Sequence, residues 1–341
     1  MNNNKIYISK LGLGCWSFGG GEYWGPIKQS VVNNIVRRAF ELGINYYDTA
    51  EVYNEGKSEL ALGIALNCIR NKVLIGSKIS PKNADPKHAV TFLEKSLKRL
   101  KTDHIDIFML HWPINYRSIL HYTKGSNKLN FKYNINDVFE EFEKIKKEGK
   151  IINYGVSNFG KKQLNEISKE FKPIVNELPY NILSRAIEYD ILEECDQKGI
   201  KVIGYMPLLQ GLLSGKYQNL KSFPKNRART RHFDSRHNQK SRTGENGFEL
   251  ETTNLLKKLN QISCNYNIPL NVLALKWCQN NVNCTIVGAR SVSHLEDNLS
   301  FKNLILSKTK YDKINQISED LKRLLGNNPD LYEGKNNQRI F

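Results

Sequence analysis

VLIGSKISPKNADPKHAVTFLEKSLKRLKTDHIDIFML, residues 73–110, places two short apolar runs, Val73–Lys78 and Ile105–Leu110, on either side of the longer amphipathic stretch Pro86–Leu100. Near-continuous apolar strands joined through a helix predict parallel pairing, because crossover helices cover both faces of such a sheet. Read outward, the same alternation runs through the rest of the chain. Further strands are predicted at Leu11–Trp16, Ile44–Asp48, Ile151–Val156, Ile174–Glu177, Lys201–Tyr205 and Thr285–Val287, which makes eight. Helices are predicted at Gln29–Leu42, Ser58–Asn67, Ile135–Glu148, Lys161–Glu170, Ile187–Lys198, Thr252–Tyr266 with Val272–Gln279, and Val292–Leu299. Eight strand–helix units in one chain point to a closed (β/α)8 barrel of the α/β class, the TIM barrel.

The competing architecture is an open doubly wound sheet, whose mark is G-x-G-x-x-G after the first strand. Here that region reads Gly12-Leu13-Gly14-Cys15-Trp16-Ser17, without the third glycine. No linker, repeat or low-complexity segment divides the chain, so a single domain over 1–341 is expected. Two long interruptions, from Trp112 to about Tyr133 after the fourth strand and from Leu208 to about Gly247 after the seventh, leave the C-terminal mouth of the barrel. Active sites of this fold are built there.

The chain has 341 residues, with 51 Lys+Arg against 34 Asp+Glu and a formal charge of +17. That charge raises nucleic acid, a membrane surface and an anionic small molecule as partners. With 40% hydrophobic and 25% charged residues the composition is that of an ordinary globular protein, not a disordered or fibrous one. Mean hydropathy is −0.52 and no apolar run approaches the ~18 residues of a membrane span. The N-terminus, MNNNKIYISKLGLG, lacks the apolar core of a signal peptide, so a cytoplasmic protein is expected. Six cysteines at 15, 68, 195, 264, 278 and 284 show no metal or disulfide spacing, so no metal is expected and the thiols are read as reduced.

Polar residues fall at adjacent strand ends. Asp48 closes the second strand, Lys78 the third and His111 the fourth, while Tyr53 lies just after the second. A strand-end Asp can be a helix cap, a Lys a solvated end and a His a rim residue, but the barrel rule brings all four to one mouth. Their chemistry is complementary. A tyrosine hydroxyl can give a proton to a carbonyl oxygen while hydride reaches the carbon, a lysine cation lowers the tyrosine pKa from ~10, and Asp48 holds the ammonium in place. His111 orients the carbonyl oxygen or shares the proton.

These residues sit in stretches that closely resemble the aldo-keto reductases. The likeness runs from Leu11 to about Glu333 and is most specific in D-T-A-E-V-Y at Asp48–Tyr53, Gly76-Ser77-Lys78, H-W-P at His111–Pro113, G-V-S-N-F at Gly155–Phe159, G-Y-M-P-L-L-Q-G-L-L-S-G-K-Y at Gly204–Tyr217 and V-G-A-R…E-D-N at Val287–Asn298. The resemblance implies an oxidoreductase with a catalytic tetrad of Asp48, Tyr53, Lys78 and His111, reducing an aldehyde or ketone or oxidising the alcohol. It also implies a nicotinamide dinucleotide across the barrel mouth. Trp16 would lie near the nicotinamide, Ser157 and Asn158 would face its carboxamide and Tyr205 would stack on the ring. Pro207, Leu208, Gln210, Gly211 and Lys216 would line the pyrophosphate, and Arg227, Gly288, Arg290, His294, Asp297 and Asn298 the adenosine half.

Two positions depart from the family pattern. Glu177 stands where most relatives carry a carboxamide-binding Gln, and Met206 stands where Ser is common. An ionised Glu only accepts, so Glu177 would take the amide N–H, and its charge would favour the oxidised nicotinamide. Arg290, with Ser291 and His294, suits a 2′-phosphate, which favours NADPH/NADP with NAD as the alternative.

Three other functions compete with this reading. A cofactor-binding regulator of the potassium-channel β-subunit kind shares the fold and most of the tetrad. Nucleic acid could track Lys221–Arg242, which holds eight Lys/Arg and one Asp, but that stretch carries no recognition motif, so no nucleic acid and no membrane partner is expected. A serine hydrolase is disfavoured because Gly155-Val156-Ser157-Asn158-Phe159-Gly160 misses G-x-S-x-G by one residue. Substrate and oligomeric state are not specified by these patterns.

Overall fold

The computed structural model describes residues 6–123, 131–300 and 303–340. Eight parallel strands, β1 (Leu11–Gly14), β2 (Tyr46–Asp48), β3 (Leu74–Ile79), β4 (Ile105–Leu110), β5 (Ile151–Ser157), β6 (Val175–Pro179), β7 (Lys201–Tyr205) and β8 (Cys284–Gly288), close into a barrel in chain order. Closure is made by β1 against β8, with Gly14 opposite Gly288. All eight strands fall where the sequence predicts them, with ends shifted by one or two residues. β4 and β7 match in full.

Strand side chains alternate between inside and outside, and the two sets bury different surfaces. The inward set forms a small floor of Tyr46, Ile107, Met109, Val175, Ile203, Cys284 and Ile286. The outward set joins the helices in one large core that includes Leu13, Tyr47, Ile75, Phe108, Val156, Leu178 and Val202. The crossover helix of the opening stretch, Pro86–Leu100, begins on Asp85, whose side chain accepts from the Lys87 N–H, and ends on Lys101 at φ 53°. Its Ala89, Leu93, Leu97 and Leu100 face the barrel.

Some elements differ from the sequence reading. The helix predicted from Ile187 is split into a 3-10 turn, Ala186–Glu188, and a shorter helix, Ile191–Gln197. Unpredicted helices occur at Gly21–Trp24, at Tyr116–Tyr122 inside the loop after β4, and at Lys308–Leu325. The last of these buries Ile314, Ser318, Leu321 and Leu325, a genuine helical stripe carried on an otherwise very polar segment. In the loop from Trp112 to Tyr133, residues 124–130 lie outside the described residues, as does the Asn-rich stretch at 1–5. No described helix is long and apolar enough to cross a membrane, and the described residues contain no His/Cys/Asp/Glu group suited to a metal. All six cysteines are free, four of them buried.

Candidate active site

The alternation that packs the floor also carries polar residues to the mouth. Tyr46 and Asp48 share the inner face of β2, and Asp48 lies opposite Gly76, so Gly76 and Lys78 share the inner face of β3. Along β4, Ile107 and Met109 lead to His111, the first residue but one past that strand's last inward position. The same period brings Glu177 inward from β6 and Tyr205 from β7.

Lys78 has no exposed surface. Its ammonium donates to Asp48 and to the Thr49 carbonyl at 3.0 Å, and lies 3.2 Å from Glu177 Oε1. Two of its N–H groups therefore have acceptors, and Glu177 adds a second carboxyl within ion-pairing distance. The Tyr53 ring lies 5.2 Å from Nζ, with its centroid 5.6 Å from that of His111 in an edge-on arrangement. Trp16 closes the other side of Tyr53 at 6.0 Å. The four predicted catalytic residues therefore meet at one place.

Electrostatics at this place depart from the simple expectation for the tyrosine. Burial pushes the Tyr53 hydroxyl well above its ordinary range; Lys78 pulls it down, but Asp48 and Glu177 push the same way as burial. The expected lowering by Lys78 is present and outweighed, so Tyr53 holds its proton at neutral pH and is a donor. For Lys78, burial alone would depress the ammonium, yet Asp48, Glu177 and Tyr53 reverse this and hold it above its usual value. Burial, then the charge of Lys78, push His111 far down, so its imidazole is neutral at physiological pH.

The residues assigned to the cofactor fall into three groups. Ser157 ends β5 and donates to the Glu177 carbonyl at 3.0 Å. Asn158 follows at φ 63°, donating to the His111 carbonyl at 3.0 Å and accepting from the Tyr205 hydroxyl at 2.7 Å, which ties the ends of β4, β5 and β7 together. After β7 the backbone turns through left-handed positions at Met206, Leu209, Gln210 and Gly211. Pro207 is buried there, and Leu208 is half-buried. Gln210 bonds Tyr23 and Tyr332 at once, and its carbonyl accepts from Arg227 at 3.4 Å. Arg227 covers Trp24 at 5.2 Å and Arg229 covers Tyr23 at 4.9 Å, so the segment Gly21–Trp24 is bridged to the loop after β7.

The third group lies beyond β8. Gly288 ends the strand and is exposed, Arg290 donates to the Pro26 carbonyl at 2.9 Å, and Ser291 caps the helix Val292–Leu299 by accepting from the His294 N–H. Asn298 accepts from Asn271 at 3.1 Å, whereas Lys216, His294 and Asp297 are exposed.

Glu177 is where the structure most changes the sequence reading. Its carboxyl is turned onto Lys78 inside the barrel, and burial followed by the nearby Asp48 raises it well above the ordinary carboxylate range. A charge favouring oxidised nicotinamide therefore requires deprotonation first. The basic tract is likewise altered: Arg231, Arg236, Lys240 and Arg242 are paired with Glu245, Asp234, Glu22 and Glu333. Half of its cations are paired with carboxylates of the same chain, three of them at the surface, instead of forming a free stripe.

The loop after β4, read from the sequence as a candidate wall carrying Tyr122, does reach the tetrad, whereas Tyr23 and the C-terminal segment escaped the sequence reading. Tyr122, on the unpredicted helix, lies 6.2 Å from His111, and Tyr23 stacks on Trp16 at 5.0 Å. The C-terminal segment returns over the mouth, where Arg339 lies 3.6 Å above the Trp112 ring and pairs through two 2.8 Å bonds with buried Asp330. That segment has no helix or strand period, and nothing in its sequence marks it as docked.

The chain is 33% identical to the methylglyoxal reductase YeaE of Escherichia coli over 220 residues, 64% of this chain and 69% of that protein. It is 27% identical to the NADH-specific methylglyoxal reductase of the same organism over 95% of this chain and 98% of the other. The glycerol dehydrogenase AKR11B4 of Gluconobacter oxydans has a similar structure, with a TM-score of 0.74 and 25% identity over 92% of each chain. An aldo-keto reductase of Klebsiella pneumoniae in complex with NADPH shares the fold at a TM-score of 0.68 and 24% identity over 91% of each chain. The aldo/keto reductase family model matches residues 10–319, nine-tenths of a chain whose barrel mouth already holds Asp48, Tyr53, Lys78 and His111 together, and the chain belongs to that family.

Proposed function

We propose that this oxidoreductase reduces a small aldehyde or ketone, with Tyr53 as the proton donor, Lys78 and Asp48 setting its charge, and neutral His111 orienting the carbonyl oxygen. The observation that carries the reading is the convergence of Tyr53, the buried Lys78–Asp48 pair and His111 at one strand-end site. The residues around it suit a nicotinamide dinucleotide. Tyr205 presents an aromatic ring beside the tetrad. Burial and then the neighbouring Arg227 charge lower the Arg290 guanidinium below its ordinary value, so the two cations lie close together, and the buried Nε of Arg227 has no acceptor among the described residues. Two such guanidiniums match a phosphate in geometry and charge. When bound, the cofactor supplies the hydride to the carbonyl carbon or takes it back. The Tyr53 O–H bond breaks as the new O–H bond of the alcohol forms, and the resulting tyrosinate is stabilised by Lys78.

NADPH is favoured over NADH by Arg290 and Ser291 at the start of the Val292–Leu299 helix, where a guanidinium and a hydroxyl meet a helix N-terminus. Substrate screening begins with small 2-oxoaldehydes, because two relatives are methylglyoxal reductases. Tyr53→Phe is expected to lower reduction by about 10²- to 10⁴-fold, the usual weight of a general acid, while leaving cofactor binding unchanged. Parallel fluorescence titrations of wild type and variant with NADPH and NADH read both parts. Turnover retained in the variant would move the proton donor elsewhere, and tighter NADH binding would reverse the cofactor preference.

A further inference from the structure

Two carboxyl groups face one ammonium beneath Tyr53. Lys78 Nζ is bonded to Asp48 and lies 3.2 Å from Glu177 Oε1, and all three side chains are buried, Lys78 at 0%, Asp48 at 4% and Glu177 at 2% exposure. Both carboxyls converge on that one ammonium, so Asp48 and Glu177 are brought together in the same dry interior. Two buried like charges facing a single cation repel each other, and one proton held on either carboxyl removes that repulsion. Among the described residues the buried Oε2 of Glu177 has no hydrogen-bond partner, which is costly for a charged carboxylate oxygen and less so for a neutral acid. The other titratable groups facing Glu177 are Tyr46 from β2, Tyr53 from the loop after it, Tyr205 from β7 and Cys284 from β8. None of these adds a cation. Lys78 is the one positive charge among the groups named, and it balances one carboxylate.

We propose that Glu177 is a positioning residue of the catalytic centre, sharing one proton with Asp48 across the Lys78 ammonium so that the buried trio is neutral when Tyr53 gives up its proton. As an acid, Glu177 is a donor as well as an acceptor, the same pair of roles a glutamine side chain plays. Loss of the proton leaves two negative charges against one positive under Tyr53. That net charge opposes formation of tyrosinate and so slows reduction, while favouring a positively charged nicotinamide nearby. The kinetic part of this inference rests on the carbonyl-reductase reading; the shared proton does not.

The test therefore begins on the protein without substrate or cofactor. Infrared spectra of wild type and Glu177→Gln are compared for the C=O stretch of a protonated carboxylic acid, from about pH 6 to about pH 9, where an ordinary carboxylic acid is ionised. Wild type is expected to show an acid band at neutral pH that fades as pH rises and is missing from the variant. Thermal unfolding supplies a second readout. Because the folded state binds a proton that the unfolded state has released, wild-type stability falls as pH rises above the ordinary carboxylate pKa towards the raised one. Glu177→Gln is thus expected to gain in Tm over wild type as pH rises, with the gap closing towards about pH 4. Glu177→Met is the second removal should the glutamine variant not fold.

Absence of an acid band at neutral pH, a band unchanged in both variants, or a Tm gap independent of pH would each overturn the shared proton. With substrate, wild-type reduction should fall at alkaline pH along the same titration, and the Glu177→Gln profile should lack that limb. An acid band without any carbonyl turnover sinks the reductase reading and leaves the shared proton standing.

Discussion

A lysine with no exposed surface loses the hydration of its charge, and Lys78 keeps that charge because Asp48, the Thr49 carbonyl and Glu177 surround it. Removing it strands two carboxyl groups in a dry barrel. Lys78→Met is expected to cost about 3–5 kcal/mol, the range for breaking a buried ion pair, and to abolish reduction as well. Chemical denaturation of the variant reads the first effect and carbonyl turnover the second; an unchanged denaturation midpoint would mean that the carboxyls take up protons to replace the cation. Asp48, Lys78, Tyr53 and His111 were legible in the sequence because a strand end and its following loop are local features. The contact of Glu177 with Lys78 was not legible, since β6 and β3 are joined only by closing the barrel.

At the scale of elements, the period of two sets what each strand can carry. Gly76 shows the constraint most clearly. A Cβ there would sit 2.1 Å from the Tyr46 hydroxyl oxygen and 2.7 Å from its ring carbon Cζ, so only glycine lets the Tyr46 ring cross β3 under Lys78. Gly76→Ala should cost at least the ~1–3 kcal/mol typical of overpacking, and Tyr46→Phe added to it should recover part of the loss by removing the nearest atom. Urea unfolding of the single and double variants measures both, and a neutral Gly76→Ala would mean that the ring has room to move. Strands and most helices were readable from composition because burial on one or both faces imposes a repeat. The helix Lys308–Leu325 escaped because its stripe of four buried residues is diluted by charged neighbours, and Tyr116–Tyr122 because a helix of two turns carries too little period to see.

Across the whole molecule, the C-terminal segment acts as a clamp on the site wall. Arg339 and Asp330 form a two-bond pair, at 2% and 1% exposure, while the Arg339 guanidinium covers Trp112 and its carbonyl accepts from Asn115. Arg339→Ala leaves Asp330 buried without its partner and uncovers Trp112. A loss of about 3–5 kcal/mol in stability is expected, together with a raised KM for carbonyl substrate, read by thermal unfolding and steady-state kinetics. The Arg339 charge also helps to depress His111, so the variant should move the imidazole pKa upward, a shift that NMR titration of the ring detects. Stability and KM both equal to wild type would show that the segment does not hold the wall.

The sequence by itself determined the eight-fold alternation, the barrel and the four strand-end residues, because each of these follows from the spacing of apolar and polar side chains along a short stretch. Tertiary structure decided which charges meet. Of the basic tract after β7, Arg231, Arg236, Lys240 and Arg242 are neutralised by carboxylates, three of them far along the chain or on other elements. Glu177 and Asp48, 129 positions apart, compete for a single lysine. Periodicity records which face of an element is dry, whereas pairing between elements depends on closure, register and loop docking, and these bring together residues whose separation in sequence carries no trace of the contact.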